Sequence, residues 1–184
     1  SGPKMAQTRK GRRNFIVADV VEYYYFLSQT VSITGSDKKE QYNITRNDDG
    51  SMLVEVFKIT NEGNLSTKMY ERKFDPVYTK EIRIYGFDGD DKFVVTGADD
   101  KIKVRMIGGG GADVFENSSK GDGGMVYDRR DGNNSLTGGF RNKMRNDTIV
   151  NSYDRLGYKY PFQSFFATVG YNPDDGIMIG PTLK

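Results

Sequence analysis

Between Asn14 and Gln29 the apolar residues Val17, Val20, Val21, Tyr24 and Leu27 recur at spacings of three and four. That is the period of one helical face, and it predicts a single amphipathic helix over 14–29. After Thr30 the period falls to two, in "SMLVEVFKI", "TKMYERKF", "EIRIYG", "KFVVT" and "IKVRMI". These runs are separated by "NDDGS", "NEGN", "FDGDD" and "GADD", so they read as strands joined by turns. In "IKVRMI" the apolar Ile102, Val104 and Met106 alternate with Lys103 and Arg105, which gives the strand one core face and one largely solvated face. Residues 118–160 are rich in Gly, Asn, Asp and Arg, the composition of loops with short strands, and 161–184 turn aromatic and apolar around "NPDDG". The pattern divides the chain into a basic opening (1–13), a helix (14–29), a β-rich body (30–117), a loop-rich segment (118–160) and a terminal unit (161–184).

The body repeats itself. "ITGSDKKEQYNI" from Ile33, "IYGFDGDDKFVV" from Ile84 and "MIGGGGADVFEN" from Met106 share a strand end, a glycine, a polar turn, an acidic residue and an aromatic two positions later. The shared positions are Gly35, Gly86 and Gly108; Glu40, Asp91 and Asp113; and Tyr42, Phe93 and Phe115. The glycines are expected to take φ > 0 in turns, and the aromatics to point inward as equivalent core residues. The second and third copies start 22 residues apart and the first and second 51, which leaves room for a hairpin between them. The expected fold is mainly β: a short β-solenoid or rolled β-sheet, or alternatively an antiparallel sandwich, with one N-terminal helix.

Composition narrows the chemistry. The 184 residues carry 27 basic and 25 acidic side chains, a net charge of +2, so no nucleic-acid partner is implied. There is no cysteine and no histidine, which removes disulfides, thiolate metal sites and the Ser-His-Asp and Cys-His schemes. Adjacent carboxylates such as Asp90 and Asp91 sit in Gly-rich turns, where they are ordinarily turn formers, and no nucleophile, base and oxyanion donor can be assembled from the motifs. The glycine run lacks the Lys-Ser/Thr that a phosphate loop requires. It does satisfy the calcium-binding G-G-x-G-x-D-x-U-x pattern, which makes Asp88, Asp90, Asp91 and Asp113 candidate oxygen ligands and calcium the one cofactor the pattern admits.

The order "GSDKKEQYNI", "KEIRIYGFDGDDKFVV", "KVRMIGGGGADVFEN", "NSYDRLGYKY" and "GYNPDDGIMIGPTLK" resembles the region just before the membrane barrel in large Bacteroidetes-type outer-membrane proteins. In those proteins a calcineurin-like metallophosphoesterase comes first and a surface-antigen-type β-barrel last. The resemblance runs from about Val31 to the end. The opening "SGPKM" reads as a cloning remnant and the chain as an excised piece of a longer protein, and the resemblance implies that Phe162–Lys184 is the start of a first barrel strand. It also implies a periplasmic location at the outer membrane, with the barrel and an upstream enzyme domain as intramolecular partners. The expected role is a non-catalytic connector, the alternative a calcium-stabilised or partner-binding module. Cut from its barrel, the stretch 162–184 is expected to fold back or to self-associate by adding a strand.

Overall fold

The computed structural model describes residues 2–98, 101–149, 151, 153, 165–174 and 176–183. It is mainly β with one N-terminal helix, and it divides into two units, 1–153 and 154–184.

Helix α1 (Gly2–Ser28) is longer than the apolar pattern predicts, because the basic run "RKGRR" continues the helical backbone instead of forming a linker. Nothing in that run breaks a helix, since Lys and Arg are good helix formers and Gly11 stands alone. The expected amphipathic burial is absent. Val17, Val20, Val21, Tyr24 and Leu27 are all exposed, and so are the neighbouring Ile16 and Tyr23 and, on another side, Phe15. Near the helix end Tyr25 stacks on Tyr78, with ring centroids 5.1 Å apart and planes 12° apart.

The chain then winds between two sheets. Strands β1 (Thr30–Thr34), β2 (Glu40–Arg46), β3 (Met52–Ile59), β4 (Leu65–Phe74), β5 (Glu81–Asp88), β6 (Lys92–Gly97), β7 (Lys103–Gly110) and β8 (Val114–Asn117) are followed by the shorter β9 (Met125–Tyr127), β10 (Ser135–Thr137) and β11 (Arg141–Asn142). One sheet has the order β1-β5-β7-β9-β11, parallel throughout. The other has the order β10-β8-β6-β2-β3-β4, parallel as far as β2 and antiparallel through β3 and β4. Each pass of the chain lays one strand on each sheet and then steps to the next rung. No barrel closes among the described strands, and the β3–β4 hairpin interrupts the winding. The result is a short rolled pair of sheets, not a regular solenoid. The antiparallel sandwich is excluded by the parallel pairing of the repeated strands.

Register explains why the copies repeat. Ile33 lies opposite Ile84, Ile84 opposite Met106, and Met106 opposite Val126 on one sheet. Tyr42, Phe93, Phe115 and Leu136 form the matching row on the other. A parallel in-register stack puts like beside like, so identical residue types at one position of each rung fill one continuous row of the core. Tyr42, Phe93 and Phe115 are fully buried, as the repeat predicts. Their rings stack at 4.7 and 4.8 Å with planes 8° apart. The β3–β4 hairpin extends the second sheet beyond β2 and adds Met52, Val54, Val56 and Phe74 to the same core.

In the second unit, β12 (Phe165–Asn172) pairs antiparallel with β13 (Gly176–Leu183) around a turn at Pro173 and Asp174. Where the resemblance implies the start of one strand, the chain forms a two-stranded hairpin. Residues 154–164 of the expected terminal unit and of the loop-rich segment lie outside the described residues.

Candidate functional site: the buried carboxylate row

The acidic residues of the repeat form a row of their own beside the aromatic stack. The Glu40 N–H donates to Asp91 Oδ1 (2.9 Å), the Asp91 N–H to Asp113 Oδ1 (2.8 Å), and the Asp113 N–H to Asn134 Oδ1 (2.8 Å). Each side chain therefore reaches one rung back and ties the corner of its neighbour. Asn134 ends the row and shows a fourth rung that the repeat scan misses. At that rung the acid is an amide and the aromatic is Leu136.

The glycine preceding each acid has a reason different from the expected one. Gly35, Gly86 and Gly108 are not among the positive-φ residues. They are required because a Cβ on Gly35 would strike Tyr42 Oη and Glu40 Oε2, one on Gly86 would strike Asp91 Oδ2, and one on Gly108 would strike Asp113 Oδ2 and Asp128 Oδ2. The carboxylate occupies the space a side chain would take. The φ > 0 requirement falls one position later, at Gly109 (φ 107), whose strand partner Phe87 adopts φ 76 despite its side chain.

Continuing the register past the Ile107–Tyr127 pair places Asp128 beside Gly108, at the position where the other rungs have glycine. In this fourth rung "VYD" stands where the second has "IYG". Asp128 is buried, and its Oδ2 and that of Asp113 both lie where a Cβ on Gly108 would stand.

Among the described residues, Asp91 Oδ2, Asp113 Oδ2 and Asp128 Oδ2 are buried without a hydrogen-bond partner. An ionised carboxylate in that position is strongly disfavoured. Burial accordingly pushes Asp91 up to about 8, above the opposing pull of the Glu40 N–H. Burial and then the facing carboxylates raise Asp113, and burial also raises Asp128. At neutral pH Asp91 and Asp113 hold protons, and the proton on Asp113 is placed to be shared with Asp128. Glu40 meets a different environment: its Oε2 accepts from the Tyr42 hydroxyl (2.8 Å) and the Ser36 N–H (3.0 Å), and its Oε1 from the Ser36 hydroxyl (2.6 Å). Burial, followed by the charges of Asp91 and Glu40, raises the Tyr42 phenol well above its ordinary value, so it stays a donor.

The four candidate calcium ligands are not brought together. Asp91 and Asp113 point into the core, whereas Asp88 and Asp90 are exposed. Asp90 and Asp91 lie in the turn between β5 and β6, which directs the first to solvent and the second inward. Asp90 is engaged by Lys39 Nζ (2.5 Å) and by the Ala112 N–H (3.1 Å), and the Lys39 contact holds its carboxyl below the usual range. Among the described residues no group of three or more acidic side chains is arranged to hold a metal ion.

On the outer face of the first sheet, Glu81 takes ion pairs from Arg83 (2.6 Å) and Arg105 (3.0 Å), and Arg105 donates to the Tyr127 hydroxyl (2.9 Å). The Glu81–Arg83 pair lies within β5, whereas Arg105 crosses from β7 to β5 and to β9 and so links three rungs. No helix among the described residues is long and apolar enough to cross a membrane. No family model, curated protein or solved structure matches this chain.

Proposed function

We propose that the chain is a non-catalytic structural connector that holds its two flanking segments at a fixed separation. The observation that carries this reading is the strand order of the first sheet. The chain joins it from α1 at the edge strand β1 and leaves it at the opposite edge, β11. Four interstrand steps of 4.7–4.9 Å separate those edges, about 19 Å in all. Between them the acidic motif is spent on backbone N–H groups of neighbouring rungs and the aromatic motif on stacking, so both serve rigidity. The resemblance to pre-barrel regions supplies the setting: an enzyme domain upstream, an outer-membrane barrel downstream, and the winding on the periplasmic side between them. In that setting 162–184 leads toward the barrel, and separated from it this stretch pairs with another molecule.

The chain has no cysteine, so cysteines introduced at Gln29 and Lys143 accept a unique pair of spin labels. The expected interlabel distribution is narrow. Deleting residues 81–102, which puts Lys103 in the register position of Glu81, is expected to shorten it by about one strand spacing, 4.8 Å. A broad distribution in the intact chain would exclude a rigid spacer.

A further inference from the structure

The exposed helix carries a second pattern that the winding does not use. Arg9, Arg13, Ile16, Val20, Tyr23 and Leu27 recur at spacings of four, three, four, three and four, the seam of a helix that packs on another helix. Along this seam Ile16 is 59% exposed, Val20 59%, Tyr23 60% and Leu27 50%. One flank of the seam repeats every seven residues as Arg12, Asp19 and Phe26, and the other as Lys10, Val17 and Tyr24.

We propose that this face of α1 is the docking surface for α1 of a second copy of the chain, with the two helices antiparallel. Orientation follows from the charges. In an antiparallel pair like flanks meet, so Arg12 of each helix lies beside Asp19 of the other and two ion pairs form. In a parallel pair the flanks meet crosswise, bringing Arg12 against Val17 and Asp19 against Tyr24, while the seam arginines 9 and 13 stand side by side and repel. Antiparallel pairing also lays the aliphatic stems of Arg9 and Arg13 along the partner's Val20 and Ile16, leaving their guanidinium groups in water. Two acidic residues, Asp19 and Glu22, within the apolar half of the helix oppose docking on an anionic bilayer and favour a basic partner, which the N-terminal half of a second copy provides. At the exposures above, the apolar seam and its flanks offer roughly 600 Å² per helix, which with the arginine stems approaches the ~800 Å² per partner of a stable interface.

The full chain is tested by sedimentation equilibrium and by cross-linking. A concentration-dependent dimer is expected. Arg12→Asp and Asp19→Arg, each alone, should raise its dissociation constant about tenfold, and the two together should restore it. The register places the two-fold axis near residue 15. A single cysteine at Ile16 should therefore cross-link to its twin, whereas one at Leu27, roughly 35 Å from its twin at 1.5 Å per residue, should not. A chain that remains monomeric at its solubility limit overturns the proposal. So does association that survives Val20→Glu with Tyr23→Glu, which would belong to another surface such as the terminal hairpin. Equal cross-linking at both positions overturns the antiparallel pairing. Binding of the monomer to anionic phosphatidylserine vesicles without dimerisation assigns the face to a membrane and overturns it as well.

Discussion

Gly108 and Asp128 show how a single position decides the character of a rung. The first three rungs place glycine where the carboxyl of the same rung needs room, while the fourth places an aspartate there and an amide, Asn134, where the acid would be. The consequence is a carboxyl pair, Asp113 and Asp128, facing each other in the core. Gly108→Ala is expected to destabilise the fold by about 1–3 kcal/mol through overpacking, read from urea denaturation. Asp128→Gly in the same chain should recover part of the loss, since it empties the space the new Cβ invades. Titration gives a second expectation. Asp91 and Asp113, ordinarily at 3.8, lie near 8 when folded. Between those values these two groups hold more protons in the native chain than in the unfolded one, so the stability they contribute is fully present below pH 3.8 and is lost as pH rises through about 8. Asp128→Asn should flatten that decline, with little effect in acid and a gain in stability at alkaline pH. Urea melts at several pH values check both, and stability that rises from pH 5 to pH 8 would contradict the protonated row.

At the scale of elements, the aromatic row is the part most legible in the sequence. An acid followed by an aromatic two positions later, three times over, placed Tyr42, Phe93 and Phe115 in the core because a parallel register stacks equal positions. Phe93 has a ring on both sides, whereas Tyr42 and Phe115 each have one parallel neighbour. Phe93→Ala should cost about 3–5 kcal/mol, and more than either Tyr42→Ala or Phe115→Ala; denaturant melts of the three variants would rank them. The fourth rung was hidden because Asp128, Asn134 and Leu136 replace all three signature residues while keeping the backbone geometry. The glycine argument reached the right residues for the wrong cause, since a sequence shows that a Cβ is missing but not whether φ or a neighbouring side chain forbids it. Asp90 and Asp91 were similarly inseparable on paper. The turn between β5 and β6 sends one to Lys39 on the surface and the other into the core. The helix was underestimated at its start because the prediction followed apolar periodicity, which the basic run lacks, whereas the backbone follows helix propensity.

For the whole molecule, the division into two units sets what can be removed without loss. The terminal hairpin has two strands, too few to be stable alone in water. Its Val169, Tyr171, Ile177 and Met178 are 67%, 74%, 70% and 54% exposed. The winding, by contrast, has its own core, built from residues of β1 to β9 such as Ile33, Phe93 and Val126. Ending the chain after Tyr153 should therefore shift the main thermal transition by less than the roughly 2–4 °C that 1 kcal/mol produces in a protein of this size. Light scattering on the two forms separates the surfaces for association: loss of association on truncation assigns it to the hairpin, and its persistence assigns it to the winding or α1. Calcium bears on the same transition. With Asp88 and Asp90 outside the core and Asp91 and Asp113 within it, the four carboxylates make no shared coordination sphere, so calcium and chelator should give the same melting temperature. A rise of several degrees with calcium would mean that an ion binds the native state, and would shift the functional reading from a rigid spacer to a metal-dependent one.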